Sequence, residues 1–587
     1  MDELETPRRL RLDSWKEIAA YLRKDIRTVQ LWEKKEGLPV HRHAHTARAT
    51  VYAYPGELDA WLAERQQKSP ASSDAETALN EPAEVKRRRN PLYVVLPIGL
   101  LVALLVGAAV LYRHRMSEAP FPAPKPPANT IAVLPFEDLS PQRHDDHLAD
   151  GLTDDIVVAL GRTGQLPVIS RRSSARFKAS QEPLPQIADS LHANFILEGT
   201  FVRAGRRVRI TADLVDASSD RHLWTQSYER NLADVLSMQD EVAASIASSV
   251  TERMTGRPPG IQATSRPVNP EARTAYLTGR FFWNKRDEPG LKKAIEYFNQ
   301  ASAKDPQSAP AYSGLADCYT LLSVWGSLSS RESFPKAKAA ALKALELDPA
   351  SAEAYTSLAV VTARWDWNFS AAEQYFKKAI QINPNYAVAH QWYGEFLGDL
   401  GRADQSIAES EKAVQLDPLS PMAGCDLSVT YIHARQPENA VKALQRVLSF
   451  APDFQPAHLY LAAAYQGTGQ IDKAEEEARR HAQLTGDNTF LVMLRIGRDA
   501  AEGRTQQAKQ AVEELLQRSR ESQFGAYNAA GLYFTIGDKE AGYRELERAY
   551  REHSWFLVNL PVDQDFDSVR QEPRFRDLMR RVGLPGN

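Results

Sequence analysis

The chain has 587 residues, 25% of them charged, and a formal net charge of −3. That length predicts three or four domains, and the near-balanced charge excludes a uniformly basic nucleic-acid protein, so charge has to be read locally. Two cysteines, Cys318 and Cys425, exclude a disulfide framework, and no Cys/His pair has zinc-finger spacing. Both are expected to be buried free thiols.

Residues 1–10 are charged and lack the apolar core of a secretory signal. Ser14 followed by Glu17 predicts a capping box, and Trp15, Ile18, Ala19 and Leu22 then fall on one helical face. Asp25 is placed to cap a second helix, with Ile26, Val29 and Trp32 inward and Arg27, Leu31 and Lys34 outward. Thr28, Gln30 and Lys35 lie on its shoulders. After Gly37 the period changes. Residues 40–45 and 49–54 read as two short strands of a wing, and Pro55 opens a third helix with Leu58, Trp61 and Leu62 inward. Between Arg8 and Thr50 there are 11 Lys+Arg against 5 Asp+Glu, a local net of +6. A locally basic two-helix unit with a wing suits DNA. His41, His43 and His45 share one strand face; with no carboxylate or thiol placed nearby in sequence, wing contacts to phosphate or plain surface are expected rather than a metal site.

"SWKEIAAYL", "RTVQLWEKKEGLPVHRH" and "VYAYPGELDAWL" resemble the winged helix-turn-helix of the excisionase and MerR-like group across about 50 residues. Leu31 stands where such sequences commonly carry Arg; a thymine-methyl contact and a weaker grip on phosphate are both open. The expected DNA-binding residues are Arg27, Thr28, Gln30, Leu31, Lys34, Arg42, His43 and Arg48.

Residues 67–90 read as a flexible linker. Residues 91–112 hold 22 uncharged residues, enough for a transmembrane helix. Lys86, Arg87, Arg88 and Arg89 on one flank outnumber Arg113 and Arg115 on the other, which predicts a cytoplasmic N-terminus and an inner-membrane, single-pass chain. Gly99, Ala103 and Gly107 form a small-residue stripe that would let two such helices dimerise. Five prolines between Pro120 and Pro127 make a stalk over 113–129.

Residues 130–256 alternate strand, helix, strand, helix, then a meander turning at Ala204-Gly205 and Ser218–Asp220, then a helix from about Leu232. This order resembles the TolB amino-terminal and FlgO-like modules, which bind and assemble rather than catalyse. "GRTGQ" lacks the Lys-Ser/Thr of a P-loop, and the acids between Asp145 and Asp155 suit a helix N-terminus better than a cation. No catalytic residues, cofactor or metal are expected. After a linker at 257–270, prolines recur at Pro270, Pro306, Pro349, Pro384, Pro418 and Pro452. Ala294, Ala337, Ala371 and Ala440 lie 12 or 13 residues before the next of them. "YSGLADCY", "YTSLAVV" and "HLYLAAAY" recur in register and resemble tetratricopeptide repeats, which implies about eight helix pairs over 271–556 and a cap at 557–587.

The expected fold is therefore multidomain: a small winged helix-turn-helix at 10–66, one transmembrane helix at 91–112, an α/β domain and an all-α repeat superhelix. The layout resembles membrane-anchored one-component regulators of the CadC and ToxR kind. It implies DNA as partner of the N-terminal domain, a peptide or protein partner for the repeats, and a homodimer. An envelope scaffold with a vestigial DNA-binding domain is the alternative.

Overall fold

The computed structural model describes residues 11–12, 14–42, 51–67, 129–141, 146–257, 269–284, 287–324, 328–518 and 525–585. They fall into two compact units that divide near residue 108.

In the first unit, α1 (Trp15–Tyr21) starts at Ser14. Its hydroxyl accepts the Glu17 backbone N–H at 3.2 Å and donates to the Glu17 carboxylate at 3.1 Å. Helix α2 (Ile26–Glu36) starts at Asp25, whose carboxylate accepts the Thr28 N–H at 2.9 Å and the Thr28 hydroxyl at 2.6 Å. It ends at Gly37, whose φ of 69° is left-handed and favours glycine. Strands β1 (His41–Arg42) and β2 (Val51–Tyr52) pair antiparallel, with His41 opposite Tyr52. Helix α3 (Pro55–Gln67) closes the unit. Ile18, Val29, Leu38, Val51 and Leu58 form its core. Ile26, expected inward, is 41% exposed. It is the first helical residue, and a helical side chain leans toward the N-terminus, which carries this one past the core.

The second unit opens with a five-stranded sheet. Strands β3 (Ile131–Val133) and β4 (Glu137–Asp138) each run parallel to β5 (Phe195–Ala204), which continues antiparallel into β6 (Arg207–Asp216) and β7 (Arg221–Asn231). Helices α4 (Asp146–Thr163), α5 (Arg171–Ser174), α6 (Leu184–Leu191) and α7 (Leu232–Thr255) accompany it. Alternation along β5 divides two cores. Leu197 and Phe201 pack with α4 and α7, while Ile196 packs with α6. The strand expected at "LPVISR" reduces to one bridge between Val168 and Ile131. Ser170 caps α5 immediately afterwards and leaves no residues to extend it.

Eight antiparallel helix pairs follow among the described residues. They are α8 (Pro270–Trp283) with α9 (Glu288–Lys304), α10 (Ala309–Val324) with α11 (Ser330–Leu347), and α12 (Ala352–Arg364) with α13 (Phe369–Ile382). Next come α14 (Ala387–Asp399) with α15 (Ala403–Leu416), α16 (Pro421–His433) with α17 (Pro437–Phe450), and α18 (Gln455–Gly467) with α19 (Ile471–Thr485). The last two are α20 (Thr489–Ala501) with α21 (Thr505–Arg518) and α22 (Ala526–Thr535) with α23 (Lys539–Arg551). Glycines set the spacing in the first pairs. Cβ atoms on Gly279 and Gly314 would stand 2.7 and 2.6 Å from the ring of Phe298, which is fully buried between them. Gly314→Val should therefore cost about 1–3 kcal/mol through overpacking. A denaturant midpoint equal to wild type would show that the ring can yield.

The C-terminal segment, with α24 (Pro573–Val582), packs on the last pair and also reaches the third. His553 stacks on Trp367 at 4.0 Å and donates from Nε2 to the Trp365 carbonyl at 2.6 Å. Cys318 and Cys425 are buried thiols outside any disulfide.

The expected transmembrane helix is corrected. Among the described residues, no helix is long and apolar enough to cross a membrane. The longest, α7 with 24 residues, carries Glu241, Glu252 and Arg253, charges that are costly in hydrocarbon, and covers the sheet instead. Residues 91–112, including Gly99, Ala103 and Gly107, lie outside the described residues. The expected inner-membrane placement is corrected on the same finding.

Candidate nucleic-acid interface

Two contacts fix how α2 presents its outer side. Val29 is fully buried, and Trp32 lies 5.5 Å from Trp61 of α3, ring centre to ring centre. Arg27, Leu31 and Lys34, at i, i+4 and i+7, are then exposed on one face, with Lys35 exposed and Gln30 half-buried beside them. Leu31 is 48% exposed on this face. Among the described residues, no ion pair forms at Arg27, Lys34 or Lys35, so the face keeps its positive charge.

Thr28 is also on this helix, but its hydroxyl is spent on Asp25. That hydrogen bond, with the Thr28 N–H, holds the Asp25 carboxyl below the usual carboxylate range. His41 meets Glu57 at 2.7 Å through Nε2 and stacks on Tyr52, so it ties the wing to α3. Of the other expected residues, the Arg42 backbone lies in β1. The Arg42 side chain, His43 and Arg48 lie outside the described residues.

The repeats carry a feature that their spacing does not announce. On the face formed by the first helices, Arg364 donates to Glu395 at 2.8 Å, and Gln391 donates to Asp426 at 2.5 Å. Burial pushes the Glu395 and Asp426 carboxyls upward. Asp399, buried at the end of α14, is pushed up to about 7 by burial. The indole of Trp555 from the C-terminal segment covers Arg364 at 4.4 Å. This stretch of the repeats is therefore filled by the chain itself rather than open to an extended partner. A second device repeats at a distance of two units. His390 meets Glu409 at 2.6 Å and the Pro384 carbonyl at 3.0 Å; His458 meets Glu477 at 2.6 Å and the Pro452 carbonyl at 2.9 Å. Each ties a first helix to its partner helix and to the preceding turn. The shared "YAVAH"/"QPAH" position of the two histidines was the available signal.

The sheet is also docked on the repeats. Asn385 accepts the Val168 N–H at 3.1 Å and donates to the Leu166 carbonyl at 2.9 Å. Asp417, fully buried, accepts the Ser173 hydroxyl at 2.6 Å and pairs with Arg172.

Residues 127–245 match the family described as HilA/YgeH-like transcriptional regulator, second domain. Residues 368–386, 387–418 and 431–488 match tetratricopeptide repeats. A HilA-like regulator domain and protein-interaction repeats are thus present in one chain. Over 322 residues it is 23% identical to the transcriptional regulator HilA of Salmonella typhimurium, covering 53% of this chain and 55% of that protein. Over 196 residues it is 31% identical to a protein named putative adenylate cyclase 3 from Rhizobium meliloti, covering 33% of each. The chain thus spans a third to about half the length of these curated relatives. Among solved structures it is similar to YrrB, described as a tetratricopeptide-repeat protein with an unusual peptide-binding site, at 20% identity and a TM-score of 0.24. That likeness covers 34% of this chain and 96% of YrrB. A repeat protein from Parabacteroides merdae is 14% identical with a TM-score of 0.33, covering 46% and 99%.

Proposed function

We propose that the chain is a DNA-binding transcription regulator whose first unit is a winged helix-turn-helix and whose HilA-like domain and repeats receive a protein or peptide partner. The observation that carries the reading is the outward face of α2, cationic and without ion pairs among the described residues, beside an exposed Leu31. In this proposal α2 enters a major groove. Arg27 and Gln30 meet base edges, Leu31 meets a thymine methyl, and Lys34, Arg42, His43 and Arg48 hold phosphate. Thr28 serves the helix start through Asp25. Two chains on adjacent half-sites would supply the affinity that one small module lacks.

The test is a gel-shift selection with the full chain over random duplexes, followed by variants on the selected site. Arg27→Ala should lose about 1–3 kcal/mol and relax preference at its base pair. Lys34→Ala should weaken all sequences alike and flatten the salt dependence by about one contact. Failure of the wild-type chain to enrich any duplex would overturn the proposal.

A further inference from the structure

A cavity of about 700 Å³ lies between α4 of the sheet domain and the first helices of the first four repeats. Small-molecule sites typically measure roughly 300–1,000 Å³ and favour domain interfaces. Five arginines border it, and four are neutralised. Arg162 faces Asp348 at 3.7 Å, Arg171 bonds Asp154 at 2.8 Å, Arg172 pairs with Asp417, and Arg273 pairs with Asp155. Arg280 differs. Among the described residues, no carboxylate lies within ion-pair distance of it. Its guanidinium is half-buried and stacks on the ring of Trp283 at 4.2 Å. Stacking occupies a face of the guanidinium and leaves its N–H edges for a planar oxyanion. Tyr276, partly exposed, offers flat apolar surface beside it, while Trp283 is buried beneath the guanidinium, and the Asn284 amide adds hydrogen-bonding capacity. Asp154 and Asp317 share the cavity, so extra negative charge on a ligand would be repelled.

We propose that this cavity is an effector site for a small organic monocarboxylate with a planar body, its carboxylate bidentate on Arg280 and its body against Tyr276. The bound molecule touches both the sheet domain and the repeats, and so stabilises their docking. The proposal stands apart from the DNA-binding reading, because its test reads ligand binding directly.

The probe is benzoate on the full chain, followed by calorimetry and thermal melting, with benzamide and inorganic phosphate as controls. Benzoate is expected to bind at about millimolar strength or better and to raise the melting temperature, while both controls do neither. Arg280→Gln should weaken benzoate at least about tenfold with the ligand-free melt unchanged. Hydrogen exchange on the wild-type chain gives a second readout, independent of how the variant folds. Benzoate should protect residues 154–161 and 276–284. No benzoate binding, equal binding of benzamide, preference for phosphate, protection confined elsewhere, or a folded Arg280→Gln chain that binds as wild type would each overturn the proposal.

Discussion

Asp417→Ala is expected to loosen the sheet domain from the repeats at a cost of about 3–5 kcal/mol, the range for removing one partner of a buried pair. The reason lies in a turn that the repeats use several times. Asp305, Asp348 and Asn383 each accept, on Oδ1, the backbone N–H two residues later, at 3.1, 2.9 and 3.0 Å. At Asp417 the corresponding N–H belongs to Leu419, and it does not reach the carboxylate directly. The Ser173 hydroxyl is interposed, accepting from Leu419 N–H at 2.9 Å and donating to Asp417 at 2.6 Å. A residue 244 positions earlier thus completes the turn. Alanine at 417 would strand the Arg172 charge and remove the acceptor of the Ser173 hydroxyl. Hydrogen exchange should then rise across residues 168–178 while the eight helix pairs stay protected. Ser173→Ala should show a smaller loss, and the double variant should cost less than the sum, because the residues share one network. Additive costs would show that the hydroxyl and carboxylate act separately.

This junction also shows where legibility in the sequence stops. Ser14 and Asp25 read as helix caps because capping is local, a side chain reaching a backbone N–H three residues on. The outward set Arg27, Leu31 and Lys34 was legible for the same reason, since a helical period fixes which positions share a face. The repeated prolines marked the turns between pairs. The alanines shifted in one place. Ala371, the residue in register in the third unit by sequence, is half-buried, and Ala372 is the buried one. Ala372 stands 12 residues before Pro384, the spacing that Ala294, Ala337 and Ala440 keep before their own prolines. What sequence did not reveal is every long-range partnership: Ser173 in the Asp417 turn, Asn385 under Val168, and Trp555 over Arg364. These depend on how the superhelix returns on itself, and no local pattern encodes that. The 91–112 stretch, which lies outside the described residues, is a different case. Hydropathy supplied a strong reading there, and the described helices contain nothing that carries it.

Asp399→Asn is expected to stabilise the chain most at pH 8 and by about a third as much at pH 5. Asp399 is buried at the last position of α14, where the negative end of the helix dipole opposes a carboxylate. Burial and the neighbouring Glu395 raise its pKa to about 7, and the Arg364 charge only partly offsets them. The unfolded chain loses this proton near pH 4, the folded chain near 7. Between those values the folded state binds more protons, so stability falls as pH rises, by about 1.4 kcal/mol per unit for one group. Over the whole window this reaches at most about 4 kcal/mol, fully expressed above pH 7. Asp565 in the C-terminal segment, pushed up to about 7 chiefly by burial and then by Asp563, adds a parallel slope. Asn at 399 should remove one share of the decline and leave the other. The measurement is guanidinium unfolding of both chains at half-unit steps from pH 5 to 8.5. Parallel curves with a constant offset would mean that Asp399 does not titrate in this window, and that its neighbours hold it ionised throughout.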